Sequence, residues 1–170
     1  MFLDIHELQR HRIEFAKTLP PGRIDFGEDV WQVADLEAEG VAELVAEDIR
    51  LKGSLRTAVE VPCARCLERT RREVALEFDL FYQPMQTIAR EEEVEIESGD
   101  LNIGFYQGDG LSLEDVLREQ VLLSLPMRVV CRADCAGLCP ECRKNRNLGE
   151  CGCKPAAADV RWTLLANWKK

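Results

Sequence analysis

Histidine is nearly missing from this 170-residue chain, with only His6 and His11, both close to the N-terminus. Catalytic zinc keeps an open coordination position and usually recruits histidine or a carboxylate, so that chemistry has little to build on here. The same scarcity excludes a nucleobase deaminase. The segment VPCARC at 61–66 supplies the P-C-x-x-C half of that signature, but the H-x-E half is absent: the sequence reads His6-Glu7 and His11-x-x-Glu14. Long apolar runs are missing too. None approaches the roughly 18 residues a membrane helix needs, and MFLDIHELQRHRIEF breaks every apolar run with a charge, so no signal-peptide core is present. The expectation is a cytoplasmic protein with no membrane partner and no catalytic machinery.

Cysteine, by contrast, is plentiful and clustered. Six of the eight cysteines lie between 131 and 153, and the other two are Cys63 and Cys66. In a reducing compartment a structural disulfide framework is disfavoured, which makes metal binding the leading reading over disulfides or inert buried thiols. The spacings are Cys63-x2-Cys66, Cys131-x3-Cys135, Cys139-x2-Cys142 and Cys151-x-Cys153. Each pair is close enough to bind one tetrahedral ion. Four pairs make two all-cysteine sites, the mark of structural zinc, with one or two ions held; iron is the other metal that thiolates accept. One partition joins Cys139, Cys142, Cys151 and Cys153 through the short loop 143–150, whose closure costs little, and leaves Cys63, Cys66, Cys131 and Cys135 as a second site. The interleaved partition, with Cys63 and Cys66 joined to Cys139 and Cys142, stays open. Either one gives the tail the rigidity that its few large apolar residues cannot supply.

The formal charge of −9 is unevenly distributed. Residues 1–124 hold 13 Lys and Arg against 27 Asp and Glu, while residues 125–170 hold nine against four. Arg65, Arg69, Arg71 and Arg72 surround the first cysteine pair, and Arg128, Arg132, Arg143, Lys144 and Arg146 flank the others. They form a candidate nucleic-acid surface, with Trp162 or Trp168 available to stack on a base. Two plainer roles compete: the cations balance the −2 charge of a zinc tetrathiolate, and the tryptophans pack the tail. A thiol redox switch, in which zinc leaves as disulfides form, is a further class.

Period-two alternation is clearest from Ile49 to Val61, with a possible bulge at Gly53, and again from Arg72 to Tyr82. The two predict a hairpin with Cys63 and Cys66 at its tip. Shorter alternating pieces at 12–16 and 41–45 add strands. The stretch 89–100, with six acids against one arginine, is a solvated connection. Ser112 caps a helix with Leu113, Val116, Leu117 and Val121 on one face, which Pro126 ends; a short helix over 159–170 follows, with Trp162 and Leu165 placed to pack together. The fold class is therefore α+β, a mainly antiparallel β-sheet with a covering helix and a C-terminal cysteine-rich zinc module. The domains are 1–126, carrying the CxxC tip, and 127–170, packed on it.

CARCL at 63–67, CRADCAGLCPEC at 131–142, NLGECGC at 147–153 and DVRWTLL at 159–165 together resemble the YceD family of large-subunit ribosomal RNA accumulation proteins, from about residue 10 onward. Arg143 departs from the pattern, which usually has glycine after the cysteine, as does Val160, where many relatives have proline. The resemblance implies a non-enzymatic role in the synthesis, processing or accumulation of large-subunit ribosomal RNA. Partners would then be that RNA or its precursor, and a basic ribosomal protein bound by the acidic sheet. A zinc-stabilised protein-interaction module without RNA contact is the alternative.

Overall fold

Alternation carries the longest strands. The computed structural model describes residues 1–85 and 103–153, so the acidic stretch 89–100 and the helix expected over 159–170, with Trp162 and Trp168, lie outside the described residues. The elements are β1 (Phe2–Asp4), α1 (Ile5–Leu8), β2 (Ile13–Leu19), β3 (Trp31–Gln32), β4 (Leu36–Val45), β5 (Asp48–Pro62), β6 (Arg69–Pro84), β7 (Ile103–Tyr106), β8 (Gly110–Ser112) and α2 (Leu113–Ser124). They make an α+β fold. Two units separate: Met1–Val61 with Thr70–Met127, and Pro62–Arg69 with Arg128–Lys170.

In the first unit the main sheet has the order β2-β4-β5-β6-β7, with β3 paired to β5. On β5 the odd positions Ile49, Leu51, Leu55, Val59 and Val61 are buried, as the alternation requires. β2 pairs antiparallel with β4, and β4 with β5. β7 joins β6 in parallel, a pairing with no local sequence signal. β1 and β8 form a separate two-stranded sheet.

Gly53 is not a bulge. The β4–β5 register runs unbroken from Glu37↔Arg56 to Val45↔Asp48, and Gly53 sits opposite Gly40. The glycines serve close approach instead. A Cβ on Gly40 would lie 2.8 Å from the Gly53 Cα and 2.8 Å from the Phe15 ring, and one on Gly53 would lie 3.0 Å from the Phe78 ring. Phe15 and Phe78 therefore fold over a strip of bare backbone on the core face of the sheet.

α2 forms where its cap predicts. The Ser112 hydroxyl accepts from the Asp115 N–H at 3.4 Å, and Leu113, Val116, Leu117 and Val121 are buried. Leu125 turns extended, the conformation proline imposes on the residue before it. Burial pushes the Tyr82 hydroxyl up to about 12, and the Glu119 carboxylate on α2 adds to it. No helix among the described residues is long and apolar enough to cross a membrane.

Candidate metal centre

Both C-x-x-C pairs in the second unit fold into the same knuckle. In the first, the Cys63 carbonyl accepts from the Leu67 N–H at 2.9 Å and the Cys63 N–H donates to the Glu68 carbonyl at 2.9 Å. In the second, the Cys139 carbonyl accepts from Arg143 N–H and the Cys139 N–H donates to the Lys144 carbonyl, each at 2.9 Å. The residue after the second cysteine is left-handed in both, with φ 62° at Leu67 and 59° at Arg143. This turn aims both sulfurs of a pair the same way, which two short-spaced ligands of one ion must do.

The sulfurs gather into two tetrads. Cys63, Cys66, Cys131 and Cys135 form one, and Cys139, Cys142, Cys151 and Cys153 the other, with the ligand atoms of each group within 4.8 Å of one another. In the first tetrad the Sγ atoms of Cys63 and Cys135 are 3.9 Å apart, and those of Cys66 and Cys131 are 3.7 Å apart. A disulfide is about 2.05 Å long, whereas zinc–sulfur bonds of about 2.3 Å put the corners of a tetrahedron about 3.8 Å apart. The four thiols fit a tetrahedral thiophilic ion, and both tetrads can hold a metal. The local partition of the sequence reading is the one the sulfurs adopt; the interleaved one is not. In the first tetrad Cys63, Cys66 and Cys135 are buried, with Val130 packed on them; in the second only Cys139 is buried.

Directed N–H groups tune these sulfurs. Burial opposes charge on Cys63, yet backbone donors from Arg65, Cys66 and Cys131 hold its thiol at about 6. The Cys142 and Glu141 N–H groups, with the Cys151 side chain, bring Cys139 to about 6 as well. The Asn147 amide, first among several donors, lowers Cys135. Cys131 rises to about 12 through burial and its thiol neighbours, and Cys153 to about 12 through Cys142 and Cys151. Each tetrad thus mixes sulfurs that ionise readily with sulfurs that resist, because four packed thiolates repel one another until a cation joins them.

Residues 51–169 match the family model described as Large ribosomal RNA subunit accumulation protein YceD. The chain belongs to the YceD family. An uncharacterised protein of Mycobacterium bovis and one of Mycobacterium tuberculosis are each 33% identical over 136 residues, 79% of this chain and 62% of theirs. One of Mycobacterium leprae is 29% identical over 103 residues, 59% of this chain and 44% of its own. The chain thus spans less than two thirds of the length of these curated relatives. No solved structure matches it.

The basic residues singled out by the sequence do not share one setting. Arg71 and Arg72 belong to the first unit, where Arg71 pairs with Glu73 at 2.8 Å. Arg65, Arg69, Arg132, Arg143, Lys144 and Arg146 belong to the second. Arg65 donates to the carbonyls of Ala133 at 3.2 Å and Cys135 at 3.0 Å, bracing the first tetrad. Arg132 donates to Asn147 Oδ1 at 2.9 Å and lies 3.4 Å from Asp134. Arg143, Lys144 and Arg146 are exposed, and no acidic side chain pairs with them among the described residues. Sequence reasoning gave Asn145 and Asn147 no role; the only signal was the Asn-Leu pair ahead of Cys151, which marks a family pattern without saying what the amide does.

The family departure at Arg143 is now explicable, and Val160 lies outside the described residues. A left-handed turn costs an L-residue about 1–2 kcal/mol, and glycine's extra freedom when unfolded offsets about 0.5–1 kcal/mol of that relief. Arg143→Gly should therefore stabilise the metal-loaded second unit by roughly 0.5–1 kcal/mol, read as a rise in its thermal midpoint. A lower midpoint would show that the arginine side chain contributes more than its backbone loses.

Proposed function

We propose that the chain is a non-enzymatic, zinc-binding factor in large-subunit ribosomal RNA accumulation, acting in the cytoplasm, with the second unit contacting precursor RNA or an assembling ribonucleoprotein. The closed, four-sulfur character of both tetrads carries the reading, because such sites leave no open coordination position for a substrate and serve to set structure. Cys63, Cys66, Cys131 and Cys135 would hold one ion, and Cys139, Cys142, Cys151 and Cys153 the other. A four-thiolate tetrahedron also accepts iron, and metal analysis of freshly purified, reduced protein decides between the two.

Net charge adds little to the RNA contact. The described part of the second unit has seven Lys and Arg against four Asp and Glu, and two zinc tetrathiolates at −2 each cancel that excess. The contact must therefore come from placement, and Arg143, Lys144 and Arg146, grouped on the second knuckle, are exposed cations without an acidic partner among the described residues. Reversing all three to glutamate should lower the RNA crosslinked to the protein in cells by at least about tenfold, as losing several phosphate contacts does, with metal content unchanged. Full retention of RNA would move the role to protein contacts.

One observation favours such contacts as a companion function. A groove of about 840 Å³ on the main sheet is lined by Glu14, Ala16, Glu39, Lys52, Ser54, Glu77 and Asp79. Of its acids, Glu14 pairs with Arg12 and Asp79 with Arg50, whereas Glu39 and Glu77 have no cationic partner among the described residues. That surface suits a basic ribosomal protein better than a polyanion.

A further inference from the structure

Asn147 lies in the loop 143–150, whose two ends are Cys142 and Cys151, both ligands of the second tetrad. Its side chain, however, is spent on the first. Asn147 Nδ2 donates to Cys135 Sγ at 3.3 Å, and Oδ1 accepts from the Ala136 N–H at 2.8 Å and from Arg132 at 2.9 Å. The rest of the loop is tied the same way. Asn145 Nδ2 donates to Glu68 Oε1 on the first knuckle at 2.8 Å, and Asn145 Oδ1 accepts from the Asn147 N–H and Nδ2 at 2.9 and 2.8 Å. The Arg146 N–H donates to the Gly137 carbonyl at 2.9 Å, and the Leu138 N–H to the Arg65 carbonyl at 3.0 Å.

We infer that the two metal centres load cooperatively, with Asn147 as the positioning residue that couples them. Closing the second tetrad fixes both ends of the loop and so presents the Asn147 amide to a sulfur of the first. Without that closure the loop must be ordered at an entropic cost before the amide can donate. Donors to ligand sulfurs fix their orientation and tune their donor strength, and losing one typically weakens metal binding 10–100-fold. Linkage makes the effect reciprocal: whatever the second ion does for the first, the first does for the second. The inference rests on the four-sulfur metal reading above.

The test uses the full chain loaded with cobalt(II), whose tetrathiolate absorption reports the sulfur environment. Two perturbations are compared. Cys151→Ser with Cys153→Ser disables the second tetrad, and Asn147→Asp keeps the acceptor for Ala136 and Arg132 while removing the donor to Cys135. Each should speed metal release from the first tetrad to a chelator by about tenfold or more. Asn147→Asp should also shift the sulfur-to-cobalt band of the first tetrad to lower energy, a change that general loosening would not produce. Combined, the changes should cost little more than either alone, since they remove one shared interaction. Release from the first tetrad that ignores the second, or effects that multiply, would overturn the coupling while leaving two metal sites standing. Absence of any tetrathiolate spectrum would overturn the metal reading itself, and the coupling with it.

Discussion

Stripping the metal should unfold the second unit and leave the sheet of the first intact. After chelation of the metal-loaded protein under reducing conditions, the backbone amides of residues 62–69 and 128–153 should exchange with solvent at nearly unprotected rates, and those of β4 and β5 should not change. The reason is the composition of the interior. Its buried cluster is Cys63, Cys66 and Cys135, with Val130 against them, so sulfur stands where a core would be. Removing the ion leaves coupled thiols and, among the described residues, little apolar mass beyond Val129 and Val130 to hold them. Structural zinc contributes about 10–16 kcal/mol of apparent binding free energy in modules of this kind, on the order of a domain's whole stability. Cys66→Ser should reproduce the loss at the first tetrad, because a hydroxyl is a poor substitute for a thiolate ligand. Persistent protection of 62–69 and 128–153 without metal would mean that the hydrogen-bonded knuckles suffice by themselves.

Gly53→Ala should be a strongly damaging small substitution in the first unit. The new methyl would fall on the Glu39 carbonyl oxygen, 3.0 Å from the Gly40 Cα and 3.0 Å from the Phe78 ring. Two of those neighbours are backbone in a ladder whose register is fixed on both sides, so relief requires β4 and β5 to separate. Overpacking a well-filled site costs about 1–3 kcal/mol when side chains can yield. Here the upper end, about 3 kcal/mol, is expected, as a loss in the denaturant midpoint of the first unit with little change in slope. Gly40→Ala should act alike, its methyl falling on the Lys52 carbonyl oxygen and the Phe15 ring. Stability within about 0.5 kcal/mol of the original, the range of an innocuous surface change, would show that the strands part easily and that the glycines answer some other need.

The two expectations divide what could be read from the residues alone. β5, β6 and α2 were legible because their signals are local: side chains alternate every second residue in a strand, and a serine hydroxyl reaches an N–H three residues ahead. The same holds for the cysteine pairs, since two thiols separated by one to three residues can always turn to one ion. Gly53 was misread as a bulge for the complementary reason. A lone glycine in an alternating run looks the same whether it inserts an extra residue or admits a neighbouring strand, and only the facing Gly40 distinguishes the two.

By itself, then, the sequence determined which segments alternate, where the helix begins and that the thiols come in ligand-spaced pairs, because each depends on bonds and rotamers within a few residues. Tertiary structure alone decided which pairs share a tetrad, that β7 joins β6 in parallel, that Arg143 and Leu67 occupy matching left-handed turns, and that Asn147 serves a sulfur outside its own loop. These depend on what lies across a gap of a few ångströms between segments distant in the chain, where sulfur–sulfur spacing and hydrogen-bond direction choose the partner.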